Sequence, residues 1–228
     1  HWYCVVPEGL NHRLLLWYCQ VPIVPGNEMA MNENGNDPDS HRARLLEGMA
    51  RCVAEKGYFE TTIADVVRAA SVSRRTFYEH FADKAECLMA LYVAATDEAT
   101  AALRAAIDPH SEWQVQVEQA MAAYLAALAR RPVLLRTLFI DILGLGPTGL
   151  AVRRRVHGQL AELMLEVVNQ RPGARLRKSP LQPTMALAVV GGIHELVLQA
   201  IEQERADDLH ALVAPASALL QAAISSEF

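Results

Sequence analysis

The sequence has few of the residues that mark β-sheet or disulfide-rich proteins. Its 228 residues include 12 glycines and 11 prolines, and only 6% of them are aromatic. Alternating runs rich in Val, Ile, Thr and Tyr, which indicate strands, are scarce after residue 40. Most apolar residues are Ala, Leu and Val, and Ala and Leu are strong helix formers. The composition therefore predicts an all-α protein, long enough for one large domain or two small ones.

Cysteine and long apolar runs are scarce as well. The four cysteines lie at positions 4, 19, 52 and 87 and form no C-x-x-C pair. Because a few scattered thiols in a long chain are typical of reduced cytosolic proteins, we expect a cytoplasmic protein. The longest apolar runs fall short of a bilayer-spanning segment, so no membrane partner is expected.

Residues 1–38 differ from the rest of the chain. The tripeptide Trp-Tyr-Cys occurs at 2–4 and again at 17–19, and the polar, turn-rich stretch NENGNDPDS follows at 32–40. We interpret residues 1–38 as a loosely ordered N-terminal extension or linker. The alternative is an aromatic segment that packs on the body or on a partner. The chain begins at His1, so Met29 and Met31 are candidates for the natural start.

Helical periodicity begins after Ser40. An apolar stripe at Leu45, Leu46, Met49, Ala50 and Val53 predicts a helix of about four turns that ends near Gly57. A second, short helix follows, with Thr62 as its N-terminal cap, and Ser73 caps a third. In the third helix, Phe77 and Phe81 lie four residues apart on one face and form its anchor. Arg74, Arg75, Thr76, Tyr78 and His80 are therefore expected on the outward faces.

Two short helices joined by a tight turn form a helix-turn-helix, whose second helix can enter the major groove of DNA. Arginine bonded to guanine is the commonest specific contact there, whereas Thr, Tyr, His and Lys more often hold phosphates. Residues 39–84 carry eight Lys/Arg and seven Asp/Glu, a net charge of +1, against 13 and 19 elsewhere, a net charge of −6. These features favour DNA binding, although an ordinary surface helix has the same pattern.

The stretch TTIADVVRAASVSRRTFYEHFADKAECLMALY resembles the DNA-binding domain of TetR-type transcriptional regulators. The resemblance covers about residues 40–92, and TFYEHFADK is its most specific part. It implies a three-helix DNA-binding domain, residues 39–84, before a larger helical domain, residues 85–228, for effector binding and dimerisation. It also implies a repressor that an effector releases from double-stranded operator DNA, with no cofactor.

The resemblance implies a role for each matching residue. Arg74 and Arg75 fall where such proteins read bases, with Thr76 beside them facing the groove. Phosphate or backbone contacts are expected from Thr62, Tyr78, His80 and Lys84, and Ser73 completes the predicted DNA-binding set. Many relatives carry glycine, proline or alanine at the position of Arg75, so a different operator is expected here.

In the predicted body, the last two helices are expected at about 181–204 and 208–224, with a kink at Pro215. In the family, these two helices pair with their copies in a homodimer. Their small and apolar residues suit such pairing: Ala186, Ala188, Gly191, Gly192, Leu196, Leu198, Ile201, Ala211, Ala218, Leu219, Leu220 and Ala222.

The helices between the fourth and the last two would enclose the effector pocket. Its candidate lining residues are Trp113, Met121, Tyr124, Phe139, His157, Met164 and Met185, each of which also suits an ordinary core. Because this set is mainly apolar, we expect a small hydrophobic effector. His157 and the pair His194-Glu195 lack the H-E-x-x-H spacing and a cysteine partner, so no metal site is expected.

Two other functions remain open at this point. The chain could be an all-α small-molecule-binding protein without DNA recognition. It could also be an all-α enzyme, although the sequence has no nucleophile motif, no phosphate loop and no paired inward carboxylates.

Overall fold

A computed structural model describes residues 38–170 and 180–225, and all regular secondary structure in these ranges is helical. The all-α prediction is therefore confirmed. The expectations for residues 1–37, and for the basic loop at 171–179, lie outside the described residues. The α-helices are α1 (Pro38–Glu60), α2 (Ile63–Ala70), α3 (Arg74–His80), α4 (Lys84–Ala105), α5 (Trp113–Ala129), α6 (Pro132–Phe139), α7 (Pro147–Gln170), α8 (Pro183–Glu202) and α9 (Val213–Ser225).

Helices α1 and α2 pack at very close range. The predicted apolar stripe of α1, from Leu45 to Val53, is buried. At Gly48 an added Cβ would lie 2.9 Å from the carbonyl oxygen of Val66, so a side chain at this crossing would force the helices apart. The helical conformation of α1 is interrupted at Gly57, whose φ of 78° suits glycine, where the sequence predicted the end of the helix.

Helix α3 is anchored by the two predicted phenylalanines. Phe77 is fully buried and Phe81 is 3% exposed, and their ring centroids are 5.7 Å apart. Leu88 and Cys87 of α4 belong to the same buried cluster. The opposite side of α3 is thereby turned to solvent.

Helix α8 forms part of the core of the larger helical body. Its buried residues include Val189, Val190, Ile193 and Val197, and α8 packs on α7 and α9. By length and hydropathy α8 could cross a membrane, and it is the one such helix among the described residues. Eight of its 20 residues are buried in the core, and core helices of this kind also meet these length and hydropathy criteria.

The last predicted helix begins later than expected. A 3₁₀ turn at Leu209–Leu212 precedes α9, which starts at Val213. Pro215 therefore lies in the first turn of α9, where its missing N–H breaks no hydrogen bond within the helix. The prediction that Pro215 kinks the last helix was wrong for this reason.

Candidate DNA-binding surface and effector cavity

The outward face of α3 carries the arginines. Arg74 and Arg75 are exposed. The Arg75 side chain is 89% exposed and bonds Glu79 one turn away, with 3.1 Å between Nε and Oε1. Tyr78 is 53% exposed, and His80 is half-buried. These four predicted DNA-contacting residues thus share a short, accessible segment.

The two helices of the helix-turn-helix have the predicted caps. The Ser73 hydroxyl oxygen accepts a hydrogen bond from the backbone N–H of Thr76 at 2.9 Å, and the two hydroxyl groups are 2.8 Å apart. Thr62 and Asp65 form a reciprocal capping box at the start of α2. The Thr62 hydroxyl also donates to Asp65 at 2.6 Å. Both caps stabilise the helix starts at the surface.

Several cations of the domain are used to hold the domain together. Arg44 donates to the carbonyl oxygen of Ala70 through Nε at 3.0 Å and Nη2 at 2.8 Å, and it also bonds the carbonyl of Ser71. Arg51 bonds the carbonyl of Ala69. Two arginines of α1 thereby satisfy the free carbonyls at the C-terminus of α2.

Asp65 organises a second group of charges. Lys56 donates to its carboxylate at 2.6 Å, and Arg68 lies 2.5 Å from the other oxygen. The hydrogen bonds from Lys56, and then those from Thr62, lower the pKa of Asp65 well below its usual value. The carboxylate is therefore ionised at neutral pH and fixes the start of α2.

Lys84 has a structural role in this chain. Its Nζ donates to the carbonyl oxygens of Tyr58 at 2.9 Å, Thr61 at 2.7 Å and Phe59 at 3.3 Å. The same Nζ lies 4.3 Å from the centroid of the Tyr58 ring, and burial lowers the pKa of Lys84. Because an ammonium has three donors, none is left for DNA. The predicted phosphate contact of Lys84 would therefore require Nζ to give up one of these bonds, and it stays a prediction.

The body contains an apolar cavity among α4, α5, α7, α8 and α9. Its free volume is about 80 Å³. Its three polar lining residues are Gln116, Tyr124 and His194, and the last two are joined by a hydrogen bond of 2.8 Å between Oη and Nε2. The apolar lining residues are Leu103, Ile107, Trp113, Val117, Ala120, Met121, Leu160, Leu163, Met164, Val167, Val168, Val190, Ile193 and Leu220.

The seven residues predicted for the pocket fall into three groups. Four line the cavity: Trp113, Met121, Tyr124 and Met164. Phe139 and His157 lie behind His194, with ring centroids 5.3 and 4.3 Å from it. Met185 packs against the core without reaching the lining. The sequence analysis considered His194 only for a metal or catalytic site and missed it as a cavity residue.

His157 and His194 are both buried, at 6% and 5% exposure. Burial is the main cause that lowers the pKa of His157 to about 4 and that of His194 to about 3. The charge of Arg153 acts in the same direction on both rings. Both are neutral at pH 7. No group of three His, Cys, Asp or Glu side chains in the described ranges could hold a metal ion.

The outer side of α8 and α9 presents small and apolar residues. Leu187 is 47% exposed, Leu219 is 37% exposed, and Ala188 and Ala218 are exposed as well. An added Cβ at Gly191 would meet no atom within 4 Å.

Three of the residues predicted for a dimer interface are instead buried within the chain itself. These are Ala186, Ile201 and Leu220. Ala186 and Leu220 lie about 100° around their helices from the exposed neighbours Leu187 and Leu219, and Ile201 is buried near the C-terminal end of α8.

The capped helix-turn-helix and the helical body define a helix-turn-helix protein with a separate apolar cavity in its body. Residues 45–91 match the family model described as bacterial regulatory proteins, tetR family. The resemblance noted in the sequence is thereby confirmed for this segment.

Two curated relatives agree with this assignment. Over 93 residues, or 40% of its length, the chain is 32% identical to YxbF, an uncharacterized HTH-type transcriptional regulator of Bacillus subtilis. It is 39% identical over 57 residues, or 25% of this chain, to the HTH-type transcriptional repressor AcnR of Corynebacterium glutamicum. The matches span only 24% and 30% of these relatives' own lengths.

Solved structures extend the likeness to the whole fold. FadR of Bacillus subtilis, solved in complex with stearoyl-CoA, superposes with a TM-score of 0.65 at 15% identity, over 82% of this chain and 99% of that one. A TetR-family regulator of Syntrophomonas wolfei gives a TM-score of 0.68 at 15% identity, over 84% and 98%. At identities this low, the superpositions show a shared fold and nothing more specific.

Proposed function

We propose that the chain is a dimeric, cytoplasmic transcriptional repressor that binds double-stranded operator DNA through α3 and is released by a small, mainly hydrophobic effector. The observation that carries the proposal is the arrangement of α3, in which buried Phe77 and Phe81 hold Arg74 and Arg75 at an accessible surface. Arginines at this position can bond guanine in the major groove. Thr62, Thr76, Tyr78 and His80 are the proposed accessory contacts.

Dimerisation through α8 and α9 is the second part of the proposal. Exposed Leu187 and Leu219, with Ala188 and the open side of Gly191, form an apolar face on which two copies can approach closely. A symmetric dimer presents two α3 helices, which matches two operator half-sites about one helical turn apart.

Effector binding would change the spacing of the two α3 helices. The cavity of about 80 Å³ is smaller than the roughly 300–1,000 Å³ typical of small-molecule pockets. A ligand larger than this free volume would displace the surrounding helices, among them α4, which starts directly after the helix-turn-helix. Release follows if the ligand binds the expanded state more tightly than the compact one. Binding, and not catalysis, is the chemistry proposed for this cavity.

The decisive experiment is fluorescence anisotropy on labelled DNA from directly upstream of the chain's own gene, with scrambled DNA as the reference, at two salt concentrations. We expect a specific complex that salt weakens. The double variant Arg74→Ala/Arg75→Ala should lose specific binding, while size-exclusion chromatography shows an unchanged dimer. The matched control is Arg154→Ala/Arg155→Ala, an adjacent pair of exposed arginines on α7.

Unchanged specific binding in the Arg74/Arg75 variant would contradict the proposed recognition surface. No binding to either DNA at low salt would favour the alternative function, a small-molecule-binding protein without DNA recognition.

A further inference from the structure

Helix α3 carries one acidic residue, Glu79, which does not belong to the predicted DNA-binding set. Successive residues of an α-helix lie about 100° apart around its axis. Counted from the buried anchors Phe77 and Phe81, Arg75 and Glu79 lie within about 40° of the opposite direction. Both residues are exposed. The Glu79 carboxylate therefore belongs to the middle of the face that α3 is proposed to turn to DNA.

Glu79 is also the partner of Arg75. Its Oε1 accepts a hydrogen bond from the Nε of Arg75 at 3.1 Å, across one turn of helix, where side chains four residues apart are neighbours. The Arg75 side chain is 89% exposed, and its guanidinium bonds no other residue in the described part of the chain. The orientation of this guanidinium in the free protein thus depends on Glu79.

The bond to Glu79 leaves most of the guanidinium available. An arginine has N–H donors at Nε and at both Nη atoms, and Glu79 occupies only the donor at Nε. The two Nη atoms can still bond O6 and N7 of a guanine in the major groove. Because an exposed ion pair adds little to folding stability, the main consequence of this contact is the direction in which the Nη atoms point.

The charge of Glu79 has the opposite effect on affinity. A carboxylate has no donor for a phosphate oxygen, and it is repelled by the phosphate charges of any duplex. Glu79 should therefore weaken binding to all sequences by a similar factor. Its orientation of Arg75, in contrast, favours only duplexes with a guanine in the matching place.

We propose that Glu79 is a positioning residue for base recognition, which holds Arg75 through Nε so that the Nη atoms meet a guanine. Its effect is on sequence specificity, measured as the ratio of the affinities for selected and scrambled DNA. The inference rests on the proposed function, because it requires that α3 binds DNA.

The test begins with selection of bound duplexes from a randomised DNA library by the full chain. Fluorescence anisotropy then measures the affinities for the selected and a scrambled duplex. Glu79→Ala frees the guanidinium and removes a negative charge, so scrambled DNA should bind more tightly. The ratio of the two affinities should fall about fivefold or more, the lower end of what a bidentate base contact provides.

Two further variants separate orientation from charge. Glu79→Gln removes the same charge but keeps an oxygen that can accept from Nε, so it should retain most of the parent ratio. Glu55→Ala removes an exposed carboxylate of α1 and is the matched control, which should leave the ratio unchanged. A ratio that falls equally in Glu79→Ala and Glu79→Gln would contradict the positioning role.

The variant Arg75→Ala supplies the second background, because Glu79 is proposed to act through Arg75. Adding Glu79→Ala to it should not lower the ratio further, and an additional loss would show that the carboxylate contacts a base itself. An unchanged ratio in the single variant Glu79→Ala would also overturn the proposal while leaving the proposed function intact. If the parent chain selects no sequence from the library, the proposed function is contradicted and the role of Glu79 with it.

Discussion

The helix-turn-helix and the cavity use polar side chains in opposite ways. On α3, Arg74 and Arg75 are neighbours in sequence and stand in solvent on a short anchored helix. In the body, Tyr124, His157 and His194 come from three helices and are buried against each other. An exposed surface of the kind proposed to read DNA can therefore be encoded in one continuous stretch, whereas a buried polar group in the body requires the packed fold. The comparison makes separate predictions for the two regions.

The largest expected effect comes from removing the anchor of α3. Phe77→Ala should lower the free energy of unfolding by about 3–5 kcal/mol, because a fully buried aromatic ring leaves a cavity. The neighbouring Tyr78→Ala should change it far less, since Tyr78 is 53% exposed. Urea unfolding followed by circular dichroism measures both. Similar losses for the two variants would mean that Phe77 does not anchor the helix.

A smaller effect distinguishes two cations of the same domain. Lys84→Met should cost about 1–3 kcal/mol of stability, because the carbonyls of Tyr58 and Thr61 lose their charged donor. DNA binding by the Lys84→Met variant should depend on salt as binding by the parent chain does. Arg74→Met should do the reverse, with stability within about 0.5 kcal/mol and weaker DNA binding. A weaker salt dependence of DNA affinity in the Lys84→Met variant would show that Lys84 does contact a phosphate.

The smallest expected effect is the change in folding stability with pH, which should depend on the buried histidines and not on the exposed ones. The folded pKa values of His157 and His194, about 4 and about 3, lie below the ordinary value of 6.5. The unfolded chain therefore takes up more protons below pH 6.5, and stability falls as the pH decreases from about 6.5 towards 4. By pH 5 the loss should be of the order of 1–2 kcal/mol per histidine.

Urea unfolding at pH 7.5 and pH 5 measures this loss. His157→Leu should shrink the difference between the two pH values, and substitution of exposed His110 by Ala should leave it unchanged. Equal stability at both pH values would show that neither buried ring stays neutral in the folded chain.

Much of the helix-turn-helix could be predicted because its information is local. The spacing of Phe77 and Phe81, and the caps Thr62 and Ser73, act within one or two turns of helix. The role of Lys84 could not be predicted in this way. Its carbonyl partners lie 23 to 26 residues earlier, at Tyr58, Phe59 and Thr61, and only the packing of α4 against the end of α1 brings them together.

The charge count of residues 39–84 shows the same limit. The sequence contains eight cations there, but it does not say which of them face solvent. Arg44 and Arg51 bond the end of α2, and Lys56 bonds Asp65. The positive surface free for the proposed DNA contact is therefore smaller than the count suggests, and Arg74 and Arg75 are its exposed members on α3.

The sequence by itself determined the all-α class, the helix-turn-helix and its outward arginines, because periodicity and capping are short-range properties of the chain. The tertiary structure decided which members of the apolar set line a cavity, since Trp113, Met121 and Met164 lie on helices whose facing sides depend on packing. It also brought His194 to Tyr124, 70 residues away, and left the Nε2 of His157 without a partner. Contacts of that separation arise only when amphipathic helices have buried their apolar faces together.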